Sequence, residues 1–273
     1  MRRRDLLLAG SALVPACRHQ APGTRHRTPA IGVQLYTVRR LMQRDFEGTL
    51  RAVAAAGYRE VEFAGYFSRT PAQVRAGLDA NGLVSPSTHL VPRLLQSGWD
   101  RAIADSQAIG HRYMVIAWMP QEMRRTLDDW RRTAELFTRA GEAARREGLT
   151  FAYHNHDFEF TPLEGRLPFD VLLESTDPSV VRIQMDLFWI RKGGHDPLAY
   201  FARWPGRFPM VHVKDMDAQG RMVDVGAGVI DWPAIFAARR QAGIEHYFVE
   251  HDEPPDPLAS IAAGYRHMRT LAL

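Results

Sequence analysis

The chain has 273 residues, 45% of them hydrophobic, and a formal net charge of +4. Residues 1–30 hold six arginines and one aspartate, a net of +5, and subtracting this from +4 leaves −1 for residues 31–273. An enzyme acting on nucleic acid is expected to carry its positive charge on the folded domain, so this balance argues against nucleic acid as a partner.

Residues 1–30 show, in order, the features of an export signal. Three arginines at positions 2–4 precede a short apolar run at positions 6–14. Paired arginines before an apolar run too short to span a bilayer are typical of a twin-arginine signal, which predicts export to the periplasm. Residues 13–17 also resemble a lipoprotein cleavage box, although two of them depart from its usual pattern. Lipidation of Cys17 is therefore the one predicted contact with a membrane.

Residues 31–273 are predicted to form a single α/β domain, a (β/α)8 TIM barrel. Short strand-like runs alternate with amphipathic helical stretches about every 30 residues, and several of these stretches end in a glycine that closes a helix. An open dinucleotide-binding sheet is disfavoured because no Gly-x-Gly-x-x-Gly turn follows the first strand. The predicted strands are Ile31–Tyr36, Glu60–Ala64, Val84–Leu90, Tyr113–Ala117, Thr150–Asn155, Val180–Asp186, Met210–Lys214 and Tyr247–Glu250.

Ionisable residues fall at the ends of six predicted strands, on the face where barrels of this kind carry their active sites. Buried charges and imidazoles are costly unless they are paired or bound to a metal, so a shared ligand is expected to compensate them. The six residues are Glu62, His89, His154, Asp186, His212 and Glu250.

Four of these residues, on consecutive strands, form the predicted metal site. The four are His154, Asp186, His212 and Glu250. Two imidazoles and two carboxylates suit a divalent Mn, Zn, Co or Fe ion rather than calcium, and they leave the choice among these metals open. Residues two apart on a strand share a face, so His156 and Lys214 are expected to reach the same mouth of the barrel.

Other motifs have two interpretations each. Gly226 and Gly228 form a glycine-rich turn or, less favoured, a phosphate cradle. Trp189 either stacks on a sugar ring or packs in a loop, whereas Trp118 and Trp204 are assigned to packing alone.

Seven motifs in the predicted barrel carry a family likeness. They are Val33–Arg39, Val61–Glu62, Tyr153–Phe160, Gln184–Asp186 followed by Trp189, Val211–Asp215, Gly226–Gly228 and Val249–Asp252. Together they resemble the sugar phosphate isomerase/epimerase family, whose fold is a xylose isomerase-like barrel. The resemblance extends from about residue 31 to the C-terminus, and it is specific for the superfamily rather than for one reaction.

The resemblance implies a metal site built from Glu, Asp, His and Glu on strands five to eight. Asp186, His212 and Glu250 match that pattern, and His154 departs from it. Epimerases have at this position a glutamate that also serves as one of two opposed acid/base groups, so its loss disfavours epimerisation. Histidine here looks more like the inosose dehydratase relatives, with Glu159 as a substitute ligand if its loop folds back.

The resemblance also implies chemistry on a sugar or keto-sugar through an enediolate, which a metal stabilises. Glu250 or His156 is the expected base and Lys214 the stabiliser of negative charge, while Glu62 and His89 bind hydroxyl groups. The resemblance alone implies a sugar isomerase or epimerase, whereas export and His154 favour elimination from an unphosphorylated 3-keto sugar, as in a 3-keto-glycoside lyase or a dehydratase. The alternatives are an exported sugar-binding barrel without catalysis and an endonuclease IV-like phosphodiesterase.

Overall fold

The computed structural model describes residues 31–271, so the predicted export signal and Cys17 lie outside the described residues. Eight parallel strands form a closed barrel, in which the first strand pairs with both the second and the eighth. The strands are β1 Ile31–Gln34, β2 Glu60–Ala64, β3 Val84–Leu90, β4 Tyr113–Ile116, β5 Thr150–His154, β6 Val181–Asp186, β7 Met210–Val213 and β8 His246–Val249. The predicted (β/α)8 barrel is therefore confirmed, and every strand was anticipated.

Helices surround the barrel on its outer side. They are α1 Arg39–Arg44, α2 Phe46–Ala55, α3 Pro71–Ala80, α4 Trp99–Ile109, α5 Leu127–Arg146, α6 Pro168–Glu174, α7 Leu187–Lys192, α8 Pro197–Arg203, α9 Trp232–Ala237, α10 Arg239–Ala242 and α11 Pro257–Met268. A short antiparallel hairpin, Asp215–Met216 with Met222–Val223, follows β7. Within residues 31–271, none of the helices has both the length and the hydropathy that a membrane span requires.

The bounds of α5 show how local sequence sets an element. Thr126 accepts a hydrogen bond from the backbone N–H of Asp129, and the Asp129 side chain accepts one from the backbone N–H of Thr126. This reciprocal pair satisfies two amide groups that have no partner inside the helix. Gly148 follows the other end at a φ of +76°, a left-handed conformation that glycine adopts without strain.

The barrel interior is layered because alternate residues of each strand point inward. An apolar layer crosses the barrel and consists of Tyr113, Val115, Ala152, Met210 and Phe248. Gly32 on β1 leaves room for this layer, since a Cβ at that position would lie 2.6 Å from the Phe248 ring. Two residues further along β5, β7 and β8 the inward positions are polar, so the strand-end residues rest on an apolar base.

Candidate active site

The C-terminal ends of the strands bring all six predicted ionisable residues into one connected cluster. His212 Nε2 lies 2.8 Å from Glu62 Oε1, and His89 Nε2 lies 2.9 Å from the same oxygen. His212 Nδ1 lies 2.6 Å from Glu250 Oε2. His154 Nε2 is 3.7 Å from Asp186 Oδ2. Closure of the barrel produces the contact between Glu62 and His212, because β2 and β7 are separated by β1 and β8 around the barrel.

Three atoms of the cluster converge without a well-aligned hydrogen bond. Asp186 Oδ2, His212 Nδ1 and Glu250 Oε2 are buried and unpartnered by that criterion, and the three side chains can present ligand atoms within 4.8 Å of one another. Lys214 and His212 contact these carboxylates at ion-pair distance, and two carboxylates with an imidazole at this spacing form a donor set that could hold a metal ion. Three of the four residues predicted to bind metal are therefore brought together as expected.

The fourth predicted ligand, His154, is placed differently. Its nitrogens group with those of His89 and His212 rather than with the two carboxylates. His154 Nδ1 lies 3.2 Å from the Gln184 side-chain oxygen, so Nδ1 is assigned as the donor and Nε2 keeps its lone pair. Nε2 is the nitrogen nearer to Asp186, and it is the atom through which His154 would join a metal site.

Glu62 lies beneath the cluster, where its carboxylate accepts hydrogen bonds from several neighbours. Gln34 Nε2 and Ser87 Oγ donate at 2.5 Å each, and Gln184 Nε2 donates at 2.6 Å. The bond from His212 Nε2 fixes that proton on Nε2 and turns Nδ1 toward Glu250. This is the arrangement in which a carboxylate orients a metal-binding histidine, so Glu62 occupies a supporting position rather than the predicted position for binding a substrate hydroxyl.

Lys214 places a positive charge among three carboxylates. Its Nζ lies 3.0 Å from Asp186 Oδ2, 2.9 Å from Glu250 Oε2 and 2.8 Å from Asp252 Oδ1. Burial opposes the charged form, but the three carboxylates outweigh it and keep the pKa of Lys214 well above its ordinary value. Lys214 lies at the same C-terminal mouth of the barrel as His212, as the two-residue spacing predicts. Asp252 was not among the site residues predicted from the sequence.

The buried charges shift one another's pKa values. Burial opposes ionisation of Glu250, but Lys214 and His212 outweigh it and lower the Glu250 pKa to about 2. Burial also opposes a charged His212, yet Glu250 and Glu62 outweigh it and raise the His212 pKa to about 10. At Asp186 burial prevails over the nearby Lys214 and raises the pKa to about 6. The carboxylates therefore favour positive charge at the point where the three unpartnered atoms converge.

A cavity of about 700 Å³ opens over the cluster. Of the predicted site residues, those lining it are His89, His154, His156, Lys214 and Glu250. Asp186 and His212 are fully buried and contact Lys214 and Glu250 from below. Trp189 does not line the cavity but packs behind His156, with their ring centroids 5.5 Å apart.

His156 presents an imidazole to the cavity and is held by its neighbours. Its ring stacks on Phe158 with centroids 5.5 Å apart, and its Nδ1 is buried without a hydrogen-bond partner. Burial lowers the pKa of His156 to about 3, so the ring is neutral near pH 7. Glu159 accepts hydrogen bonds from the Tyr153 hydroxyl and the His156 backbone N–H, at 2.5 and 2.8 Å. Both Glu159 oxygens are thus engaged, which argues against Glu159 as a substitute metal ligand.

The glycine-rich turn after β7 is filled by a carboxylate of the chain itself. Asp215 Oδ2 accepts hydrogen bonds from the backbone N–H groups of Gly226 and Gly228, at 2.8 and 3.1 Å, and from Trp232 Nε1 at 3.2 Å. A Cβ at Gly228 would lie 2.2 Å from Asp215. The favoured interpretation as a structural turn is confirmed, and the phosphate-cradle alternative is wrong because Asp215 uses the donors a phosphate would need.

Trp118 was assigned to packing, and this assignment is wrong. Its side chain is 45% exposed and lines the cavity, as does that of Tyr36. Both residues follow directly after barrel strands, Tyr36 after β1 and Trp118 after β4. Their positions at strand ends were a usable signal, because the loops at this end of a (β/α)8 barrel form its active site.

A closed parallel barrel with a buried acid–histidine cluster under a cavity at its C-terminal face has the architecture of a (β/α)8 enzyme. The family model described as xylose isomerase-like TIM barrel matches residues 50–271, and the chain belongs to this family.

Known proteins of similar sequence or fold support this family membership. An inosose dehydratase of Lacticaseibacillus casei is 24% identical over 249 residues, which cover 77% of this chain and 83% of the relative. A sugar phosphate isomerase/epimerase of Parabacteroides distasonis is 26% identical, with 88% of this chain and 98% of that one covered at a TM-score of 0.79. The IOLI protein, crystallised with a bound zinc atom, is 14% identical, with 88% and 97% covered at a TM-score of 0.70. The resemblance inferred from the motifs is thereby confirmed.

Proposed function

We propose that the protein is a metal-assisted enzyme that removes the proton next to the carbonyl group of a keto sugar and then eliminates a β-substituent. The observation that carries this proposal is the convergence of Asp186, His212 and Glu250, whose buried ligand atoms lie within 4.8 Å of one another beneath a cavity of small-molecule size. The inosose dehydratase relative supports the proposal, because dehydration is itself an elimination.

The donor set and the charge balance both fit a divalent metal ion. Asp186, His212 and Glu250 would hold it, with His154 as the proposed fourth ligand. Mixed nitrogen and oxygen donors suit Zn, Mn, Co or Fe(II), and the zinc in the IOLI protein makes zinc the first metal to test. Lys214 contacts three carboxylates and Glu62 adds a fourth to the cluster, so a divalent ion would offset the remaining negative charge. When bound, the metal would polarise the substrate carbonyl.

We assign the role of base to His156. Its imidazole lines the cavity and is neutral near pH 7, so the ring has a nitrogen lone pair that can accept a proton. Glu250, the other candidate from the sequence, is less suited because its Oε2 lies within 3 Å of both His212 and Lys214. Lys214 keeps a fixed positive charge at the cavity wall, which stabilises negative charge developing on a substrate oxygen.

In this proposal the elimination needs no redox partner. His156 takes the proton from the carbon next to the carbonyl, the electron pair forms a carbon–carbon double bond, and the bond to the β-oxygen breaks. The leaving oxygen departs as water or an alcohol after it gains a proton, so atoms and charges balance. The second carboxylate that stereoinversion would use is replaced by His154, which supports elimination over epimerisation.

The experiment is incubation of the metal-loaded protein with 3-keto-glucosides, inososes and free ketoses in deuterated water, with products followed by NMR. Elimination releases water or an alcohol and leaves an unsaturated keto sugar or its hydrate. We expect His156→Gln to slow the reaction by about a hundredfold or more. His195→Gln is the matched control, because His195 packs on Phe160 outside the cavity.

Two outcomes would contradict parts of the proposal. Deuterium uptake with inversion of the carbon and no leaving group would replace elimination by epimerisation. The absence of turnover on all three substrate classes, in a protein that binds them with an affinity insensitive to chelators, would favour a sugar-binding barrel without catalysis.

We also propose that the protein is exported to the periplasm by the twin-arginine route. The paired arginines and the apolar run that follows them support this proposal. Replacing Arg3 and Arg4 by lysine should retain the protein in the cytoplasm, as measured by cell fractionation. Export that continues unchanged would contradict dependence on this signal.

A further inference from the structure

The cavity over the cluster has two chemically different ends. Its polar end is formed by the ends of β5, β7 and β8, where His154, Lys214 and Glu250 line the wall. Its other end is formed by segments that follow β1 to β4 and by one face of α4. Apolar side chains line this second end, which we call the apolar arm: Tyr36, Leu90, Val91, Leu94, Ala117 and Trp118. The proposed chemistry uses only the polar end.

Exposure of apolar side chains is concentrated at this arm. Tyr36, Val91 and Trp118 are 39%, 43% and 45% exposed, and they are three of the six large hydrophobic side chains exposed in residues 31–271. All three line the same cavity, while the others lie outside it. Single exposed apolar residues need no explanation, but a group of them on one concave wall marks a binding surface.

The polar groups of the arm are few and largely engage one another. Arg101 Nε donates to Asp105 Oδ1 at 2.7 Å, so these two side chains pair with each other. The guanidinium of Arg93 adds the only other charge on this wall among the described residues. A second sugar ring would need several hydrogen-bond partners for its hydroxyl groups, and this wall does not supply them. An apolar occupant matches it better.

We propose that the apolar arm binds an apolar, planar group carried by the substrate beyond its sugar ring. The substrate is then a keto-glycoside with an aromatic or similarly apolar aglycone, placed between Tyr36 and Trp118 while the sugar lies over the polar end. This inference rests on the proposed function, since it assumes a keto sugar at the polar end. It also selects an alcohol, rather than water, as the leaving group.

The experiment compares benzyl and methyl 3-keto-β-glucosides, whose leaving alcohols have similar basicity, so a difference between them reports on binding of the ring. We expect kcat/KM of the metal-loaded protein to be about tenfold higher or more for the benzyl compound. Trp118→Ala and Val91→Asp should each reduce this benzyl/methyl ratio several-fold, because each removes apolar surface from the arm. Both side chains are exposed, so neither change is expected to prevent folding.

Val229→Asp is the matched control for Val91→Asp, because Val229 is also exposed and lies outside the cavity. It should leave the benzyl/methyl ratio unchanged. A ratio near one in the unmodified protein, or a larger gain from a glucosyl extension than from a benzyl group, would overturn the inference while turnover itself upheld the proposed function. If neither compound reacts but inososes do, the proposed function stands and the glycoside inference fails. If no substrate class reacts, the proposed function fails, and calorimetric binding of benzyl and methyl glucoside still decides whether the arm prefers the apolar group.

Discussion

Two histidine–carboxylate groups occupy opposite ends of the barrel interior. Near the N-terminal ends of the strands, His246 Nδ1 lies 2.8 Å from Glu60 Oε2, and the pair is partly exposed. Near the C-terminal ends, His212 lies between Glu62 and Glu250 and is fully buried. Phe248 separates the two groups, with its ring centroid 6.2 Å from that of each histidine.

Both ends of the barrel contain histidines and carboxylates, so the residue types alone do not define a metal site. At the N-terminal end one imidazole meets one carboxylate near solvent, and the pair can compensate itself. At the C-terminal end the carboxylates outnumber the lysines, and Asp186 and His212 are fully buried. An excess of buried negative charge is unfavourable without a cation, so only this end calls for a metal ion.

The largest expected effect comes from removing a proposed metal ligand. Asp186→Ala and His212→Ala should each abolish binding of about one divalent metal per chain and lower kcat/KM by roughly a thousandfold or more. His246→Ala removes a histidine from the other end of the barrel and should keep both properties. Metal analysis of the purified variants, with kinetics, provides the measurement, and unchanged metal content in either ligand variant would show that the ligands are assigned wrongly.

A smaller effect is expected from Glu62→Gln, which removes a charge that orients His212 but keeps the size of the side chain. Metal affinity should fall about 10- to 100-fold, because the ring loses the partner that fixes its proton on Nε2. Glu60→Gln is the matched control at the opposite end. Competition with a metal chelator measures the affinity, and equal affinities for the two variants would contradict the supporting role of Glu62.

The smallest expected effect concerns Glu159, in the wall beside His156. Burial raises its pKa from 4.5 to about 7, so the folded protein binds this proton more tightly than the unfolded chain. The free energy of unfolding should therefore decrease as the pH rises from about 5 to 8, and Glu159→Gln should remove about 1 to 2 kcal/mol of that decrease. Urea unfolding at both pH values measures it.

Glu245→Gln serves as the control for this pH effect. Its carboxylate is about half exposed and pairs with Arg112 at the N-terminal end, where such pairs contribute little. The pH dependence of its unfolding should match that of the unmodified protein. A Glu159→Gln variant with the same pH dependence as the unmodified protein would show that burial does not hold the proton on Glu159.

Much of the candidate site was predictable because it follows from position along a strand. Asp186, His212 and Glu250 end three consecutive strands, and parallel strands in a barrel present those ends on one face. The two-residue spacing of Lys214 from His212 was sufficient to place it at the same mouth. These inferences need only the strand pattern and the direction of the chain.

Other parts depended on contacts that only closure of the barrel creates. Gln184 and His212 meet Glu62 across the interior, and this meeting makes Glu62 a support for His212 rather than a substrate-binding group. The cavity that Trp118 lines is likewise enclosed by several loops after β1 to β4, although the position of Trp118 shortly after a strand was a usable signal.

The sequence by itself determined the alternation of strands and helices and the order of acids and histidines at the strand ends, because both depend on residues near one another in the chain. The tertiary structure decided which atoms are left without partners. Asp215 fills the glycine turn and Glu159 turns to Tyr153, whereas Asp186, His212 and Glu250 converge with Lys214 under the cavity. The physical reason is that hydrogen-bond satisfaction is settled by neighbours in space, which range from 6 residues apart for Glu159 and Tyr153 to 150 residues apart for Glu62 and His212.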